Sequence, residues 1–139
     1  MTQFLLLQTQ LPTQAKVEGL RFDDVLQVGY PLTEAAATLF SRNAAPIWKV
    51  ALHSGEADEL ADEARDAVLR DEPLEQTRLG RLLVAAISQK NSFCLFWADD
   101  FLDLPRPRTR EQLFALLEDQ LRIDDGSNYE LYAQWHSDA

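Results

Sequence analysis

The stretch that decides the fold is residues 92–98, with the sequence SFCLFWA. Every position from 93 to 98 is apolar. A strand with one face in water alternates between apolar and polar residues, whereas a strand covered on both faces is apolar throughout. The run therefore predicts an interior strand, at the centre of a β-sheet that has other elements packed on it.

Four more segments around this run have the pattern of β-strands. They are residues 4–9, 15–20, 47–53 and 129–135. In residues 47–53, Trp48, Val50 and Leu52 fall on one face of the strand. Residues 129–135 alternate between apolar and polar side chains, which predicts a half-exposed strand at the edge of the sheet.

Apolar residues at helical spacing predict four helices between these strands. The four stripes lie within residues 32–40, 57–68, 79–87 and 113–121, and Pro73 is expected to open the third helix. Gly80 within that helix costs about 1 kcal/mol of helix propensity relative to alanine. Thr109 and Gln112 match a capping box before the fourth helix. A short helical turn is also expected within residues 22–28.

Strands separated by helices predict an α/β or α+β fold. We expect a single mixed β-sheet of about four to five strands, with helices packed on one or both faces and right-handed crossovers between parallel neighbours. A length of 139 residues fits one globular domain, residues 1–139.

The charge of the chain restricts its partners. There are 23 acidic residues against 13 basic ones, which gives a net charge of −10, and all of this net charge lies after residue 50. An acidic protein repels phosphate backbones and anionic lipid surfaces, so we expect neither a nucleic acid nor a membrane as partner. A basic protein is the favoured partner.

The start of the chain and its cysteine content indicate the compartment. The longest apolar runs have six residues, whereas a membrane span needs about 20. The first residues lack the basic segment of a signal peptide. One cysteine, Cys94, excludes an intramolecular disulfide and is expected to be a small buried apolar residue. The sequence therefore predicts a cytoplasmic protein.

An acidic helix provides the first candidate binding residues. Glu59, Asp62, Glu63 and Asp66 share one helix face by their spacing. Carboxylates four residues apart repel each other by about 0.2–0.5 kcal/mol per pair. They therefore form either a solvated face or a docking surface that speeds the approach of a basic partner. Two aromatic residues of the last strand, Tyr132 and Trp135, are candidate anchors for the same partner.

Other residues support an enzymatic alternative. Asp99, Asp100 and Asp103 follow the central strand, at the position where open α/β sheets place metal sites. Capping of a turn is the alternative role for these carboxylates. His53 and Ser54 stand at a strand end without the glycines of a hydrolase elbow. No phosphate loop, dinucleotide fingerprint or metal spacing occurs, so we expect no cofactor.

Residues 104–110, LPRPRTR, are a basic segment in this acidic chain. Two prolines are expected to keep the segment extended and exposed. Its three arginines either pair with acids of the same protein or contribute to a partner interface.

Small acidic proteins without a catalytic signature include bacterial immunity proteins and antitoxin-like inhibitors. By this analogy of class, the sequence predicts a non-enzymatic module that neutralises or regulates a basic partner such as a toxin or effector. The alternatives are a small metal-dependent enzyme that uses Asp99, Asp100 or Asp103, a secretion chaperone, and a structural protein that self-associates through a sheet edge. The oligomeric state stays open.

Overall fold

The computed structural model describes residues 3–9, 23–25, 39–40, 45–53, 60–97, 104–122 and 131–136. The strands are β1 (Gln3–Gln8), β2 (Asp23–Asp24), β3 (Ile47–His53), β4 (Phe93–Trp97) and β5 (Ala133–Trp135). The helices that lie wholly within these residues are α1 (Leu60–Leu69), α2 (Arg78–Ser88) and α3 (Arg110–Arg122). A 3₁₀ turn, Leu74–Gln76, lies between α1 and α2.

The five strands form one antiparallel sheet in the order β2-β3-β1-β4-β5. The strand number and an α+β architecture are confirmed. All the strand pairs between described residues are antiparallel, whereas the sequence predicted a mixed sheet with some parallel neighbours. The reason is the position of β1. Strands β3 and β4, which α1 and α2 connect, are parallel to each other, but β1 lies between them and is antiparallel to both.

The sheet separates two apolar layers. Alternate residues of the strands, such as Leu5, Leu7 and Phe93, face the layer that holds α1, α2 and α3. Their neighbours Leu6 and Cys94 face a smaller cluster on the other side. Strand β4 is thus an interior strand that is buried on both faces, as its apolar sequence predicts, although β1 takes the centre of the sheet.

The three described helices agree with the stripes of apolar residues. Helix α3 begins with one half of the expected capping box, since the Gln112 amide donates to Thr109 Oγ1 at 3.1 Å. The Gln112 side chain accepts from the amide of Arg108 at 2.9 Å, one residue before the N-cap. Pro73 opens the 3₁₀ turn and not the helix itself. Helix α2 begins after Thr77, whose hydroxyl oxygen accepts a hydrogen bond from the Gly80 amide at 3.0 Å.

Three expectations concern the first half of the chain, and a fourth concerns its last strand. Asp23–Asp24 pair with β3 as a strand, so the predicted helical turn over residues 22–28 is wrong at these two positions. Residues 39–40 are helical, and the rest of the helix expected over 32–40 lies outside the described residues. The strand expected at 15–20 lies outside them as well. Strand β5 is at the edge of the ladder, as its alternating pattern predicts.

Candidate functional site

Helix α1 carries an exposed acidic surface on the side away from the sheet. Asp62 and Asp66 are exposed, and Leu69 follows them at helical spacing with 56% of its surface accessible. Residues at i, i+4 and i+7 lie on one face of a helix. We call Asp62, Asp66 and Leu69 the outer face of α1. Glu59, the first residue of the predicted acidic face, lies outside the described residues.

The turn after α1 fixes where this face ends. Asp71 has a left-handed backbone with φ of 56°. Its amide donates to the Val68 carbonyl at 3.1 Å, and the Glu72 amide donates to the Ala67 carbonyl at 2.8 Å. This pair of bonds is the Schellman motif, which closes a helix by satisfying its last carbonyls. Leu69 therefore lies on the last turn of α1, directly before the Schellman motif at which the chain changes direction.

Glu63 points away from the outer face of α1 and joins two helices. Its carboxylate accepts a hydrogen bond from the Arg78 amide at 2.9 Å and another from Arg78 Nε at 2.8 Å. Partial burial raises the pKa of Glu63, but the Arg78 hydrogen bonds and the charges of Arg78 and Arg81 leave it below its ordinary value. Glu63 thus connects α1 to the first residue of α2.

Replacing Glu63 by glutamine is expected to lower the free energy of unfolding at pH 7 by about 1 kcal/mol, because charge-assisted hydrogen bonds are lost at a partly exposed site. A carboxylate whose pKa is lowered by folding stabilises above its unfolded pKa, and this contribution disappears as pH falls through the folded value. The difference between parent and E63Q should therefore shrink below pH 4. Urea unfolding of both proteins at several pH values between 3 and 7 measures this difference in the free energy of unfolding.

The matched control for this variant is Glu72→Gln. Glu72 pairs with Arg70 at 3.3 Å, and both side chains are more than half exposed. Exposed pairs contribute at most about 1 kcal/mol and often much less. We expect E72Q to change the unfolding free energy by less than about 0.5 kcal/mol. Equal effects of the two variants at pH 7 would contradict the structural role of Glu63.

The two aromatic candidates lie at the sheet edge. The side-chain amide of Gln120 on α3 holds the backbone of Tyr132, since Gln120 Nε2 donates to the Tyr132 carbonyl at 2.9 Å and Gln120 Oε1 accepts from the Tyr132 amide at 3.0 Å. The ring of Trp135 stacks on Phe93 with centroids 6.1 Å apart and planes 11° apart. Both aromatic residues are half-buried.

The acidic and aromatic candidates stand on different parts of the fold. Helix α1 packs against β3, α2 and α3, whereas Tyr132 and Trp135 belong to β5 and the segment before it. Strands β4 and β1 lie between β5 and β3. The structure brings Asp62 and Asp66 together with Leu69, a residue that the sequence analysis missed. The sequence held one signal for this residue, because Leu69 is a leucine that lies just outside the buried stripe of its helix.

The residues of the enzymatic alternatives are largely outside the described structure. Asp99, Asp100, Asp103 and Ser54 all lie there, and only the backbone of His53 is described. Within the described ranges, no three His, Cys, Asp or Glu side chains form a group that would hold a metal ion. The buried thiol of Cys94 has a pKa of about 12, because burial raises it more than the backbone hydrogen bond of Leu6 lowers it. A thiol in this state is protonated and is not a nucleophile.

Comparison with known proteins identifies no relative. No protein-family model, no curated protein and no solved structure matches this chain. Among the described residues, no helix has the length and apolar character needed to cross a membrane.

Proposed function

We propose that this protein is a non-enzymatic binding module that docks on a basic protein through the outer face of α1 and so neutralises or regulates it, as immunity proteins and antitoxin-like inhibitors do. The observation that carries the proposal is the combination of Asp62, Asp66 and Leu69 on one exposed helix face. Interfaces commonly pair an apolar contact with a polar rim. Here the leucine supplies the apolar contact and the carboxylates supply the rim.

The net charge of −10 supports the same proposal. Complementary charge raises the association rate of two proteins and makes that rate sensitive to salt. Glu63 has a different role in this scheme, because its carboxylate is bound to Arg78. We assign Asp62 and Asp66 to the docking face because both are exposed there, and Tyr132 and Trp135 stay candidate anchors at the sheet edge.

The test begins with a partner. Affinity capture from a lysate of the organism that encodes the protein, with washes at low and high salt, should retain a basic protein in stoichiometric amount, and salt should release it. Association of the purified partner is then measured by stopped-flow fluorescence for the parent and for Asp62→Asn with Asp66→Asn. We expect the double variant to associate several-fold more slowly and to show a weaker dependence on salt.

The matched control removes two charges from another helix. Glu111 and Asp119 are exposed on α3, so Glu111→Gln with Asp119→Asn changes the net charge by the same amount. We expect this control to keep most of the parent association rate. Equal slowing in both double variants would assign the effect to net charge and reject the outer face of α1 as the docking site.

A further inference from the structure

Three arginines form an exposed basic surface next to the last strand. Arg106, Arg108 and Arg110 are all exposed, and no acidic residue lies between them in the chain. Outside these three residues, the chain carries 23 acids against ten other bases. We call Arg106, Arg108 and Arg110 the arginine strap.

The backbone that carries the strap is held at both ends. On one side, Gln134 of β5 donates from its amide to the Pro105 carbonyl at 2.8 Å and from Nε2 to the Leu104 carbonyl at 2.7 Å. On the other side, the Arg108 amide donates to the side chain of Gln112 at the start of α3. A backbone that is already ordered lowers the entropy lost on binding.

The strap also determines the mode of binding that this edge allows. Pro105 and Pro107 have no amide hydrogen, so the segment offers fewer backbone donors to an added strand. Recognition of a partner by this segment therefore depends on the arginine side chains. The guanidinium of Arg110 lies 5.9 Å from the centre of the Phe114 ring, a distance at which a cation–π contact limits its motion.

We propose that the arginine strap binds an acidic peptide segment of a partner protein. A guanidinium matches the two oxygens of a carboxylate. Arg106 and Arg108 are two residues apart, which is about 6 Å in extended chain, the repeat of alternate side chains in an extended peptide. A nucleic acid would continue past three arginines onto a protein surface that is acidic, and it would be repelled there. A short acidic peptide avoids this repulsion.

The probe for this surface is a fluorescein-labelled five-residue peptide of alternating glutamate and serine, which matches the five residues that the strap spans, measured by fluorescence anisotropy in 50 mM salt. We expect the parent protein to bind it, and the variant R106Q/R108Q/R110Q to bind about tenfold more weakly, the effect of three exposed ion pairs lost together. The matched control is R70Q/R81Q/R122Q, which removes three arginines elsewhere and gives the same net charge. This control should bind within twofold of the parent.

A lysine variant keeps the test decisive if the glutamine variant does not fold. R106K/R108K/R110K preserves the charge and removes the forked geometry, so we expect about threefold weaker binding. Three results would overturn the proposal: no binding of the peptide by the parent up to 1 mM, equal weakening in the control, or tighter binding of a ten-nucleotide single-stranded DNA than of the peptide. The strap does not involve Asp62 or Asp66, so this outcome is independent of the docking test on α1.

Discussion

Replacing Gly80 by alanine is expected to destabilise the protein by about 2–3 kcal/mol, although alanine is the better helix former. A Cβ at position 80 would lie 2.7 Å from the Cα of Glu75 and 2.8 Å from the carbonyl carbon of Leu74, and closer still to the Leu74 carbonyl oxygen. These are backbone atoms of the 3₁₀ turn. Rotation of a side chain therefore does not relieve the overlap, and the turn and α2 must move apart.

The contacts around Leu74 make that movement costly. Its carbonyl accepts hydrogen bonds from the Thr77 amide at 3.1 Å and from Thr77 Oγ1 at 2.7 Å. Thr77 Oγ1 also accepts the amide of Gly80 at the start of α2. The Leu74 side chain is fully buried in the larger core. A shift of the turn would therefore disturb the helix cap and the core together.

Urea unfolding followed by circular dichroism measures the effect of Gly80→Ala. The control is Arg81→Ala, an exposed position of the same helix, which is expected to change the free energy of unfolding by less than about 0.5 kcal/mol. A G80A protein that gains about 1 kcal/mol, as helix propensity alone predicts, would show that the turn does not pack on α2 at this point.

Gly80 shows where sequence reasoning stops. A propensity scale counts this glycine as a cost to α2, because the scale describes an isolated helix. The benefit comes from a turn six residues earlier that folds back onto the helix, and no local pattern reports such a contact. Helix propensity alone thus predicts that Gly80→Ala stabilises the protein, whereas the contact with the turn predicts that it destabilises the protein.

The sheet, too, was predictable from the sequence only in part. The apolar run of β4 and the stripes of α1, α2 and α3 were predictable, because periodicity reports which side of an element is buried. Periodicity does not report which strand lies next to which, so the insertion of β1 between β3 and β4 was missed. Strand β2 was missed because Asp23 and Asp24 are among the residues depleted in strands.

The candidate site was predictable in part. Helical spacing placed Asp62 and Asp66 on one exposed face. The same spacing grouped Glu63 with them, but its partner Arg78 is fifteen residues away and meets it through the packing of α1 on α2. Such a pairing depends on tertiary structure, which sequence spacing does not contain.

Replacing Phe93 by alanine is expected to cost about 3–5 kcal/mol of unfolding free energy. Phe93 is fully buried in the interior strand β4, where it pairs with Leu7 of β1 on one side and with Trp135 of β5 on the other. Truncation would leave a cavity between the sheet and the layer of helices that packs on it. Because small domains are stable by only about 5–15 kcal/mol, F93A should lose a large part of the total, as measured by urea unfolding followed by circular dichroism.

The stacking of Phe93 on Trp135 requires a second measurement, since burial and ring contact are lost together in F93A. Phe93→Leu retains much of the apolar volume, and a double-mutant cycle with Trp135→Leu isolates the ring pair. We expect a coupling of about 0.5–1.5 kcal/mol. A coupling near zero would mean that Phe93 does not hold the Trp135 ring. A measurable coupling would mean that Trp135 is ordered before any partner arrives, and an anchor that is already ordered loses less entropy when it is buried.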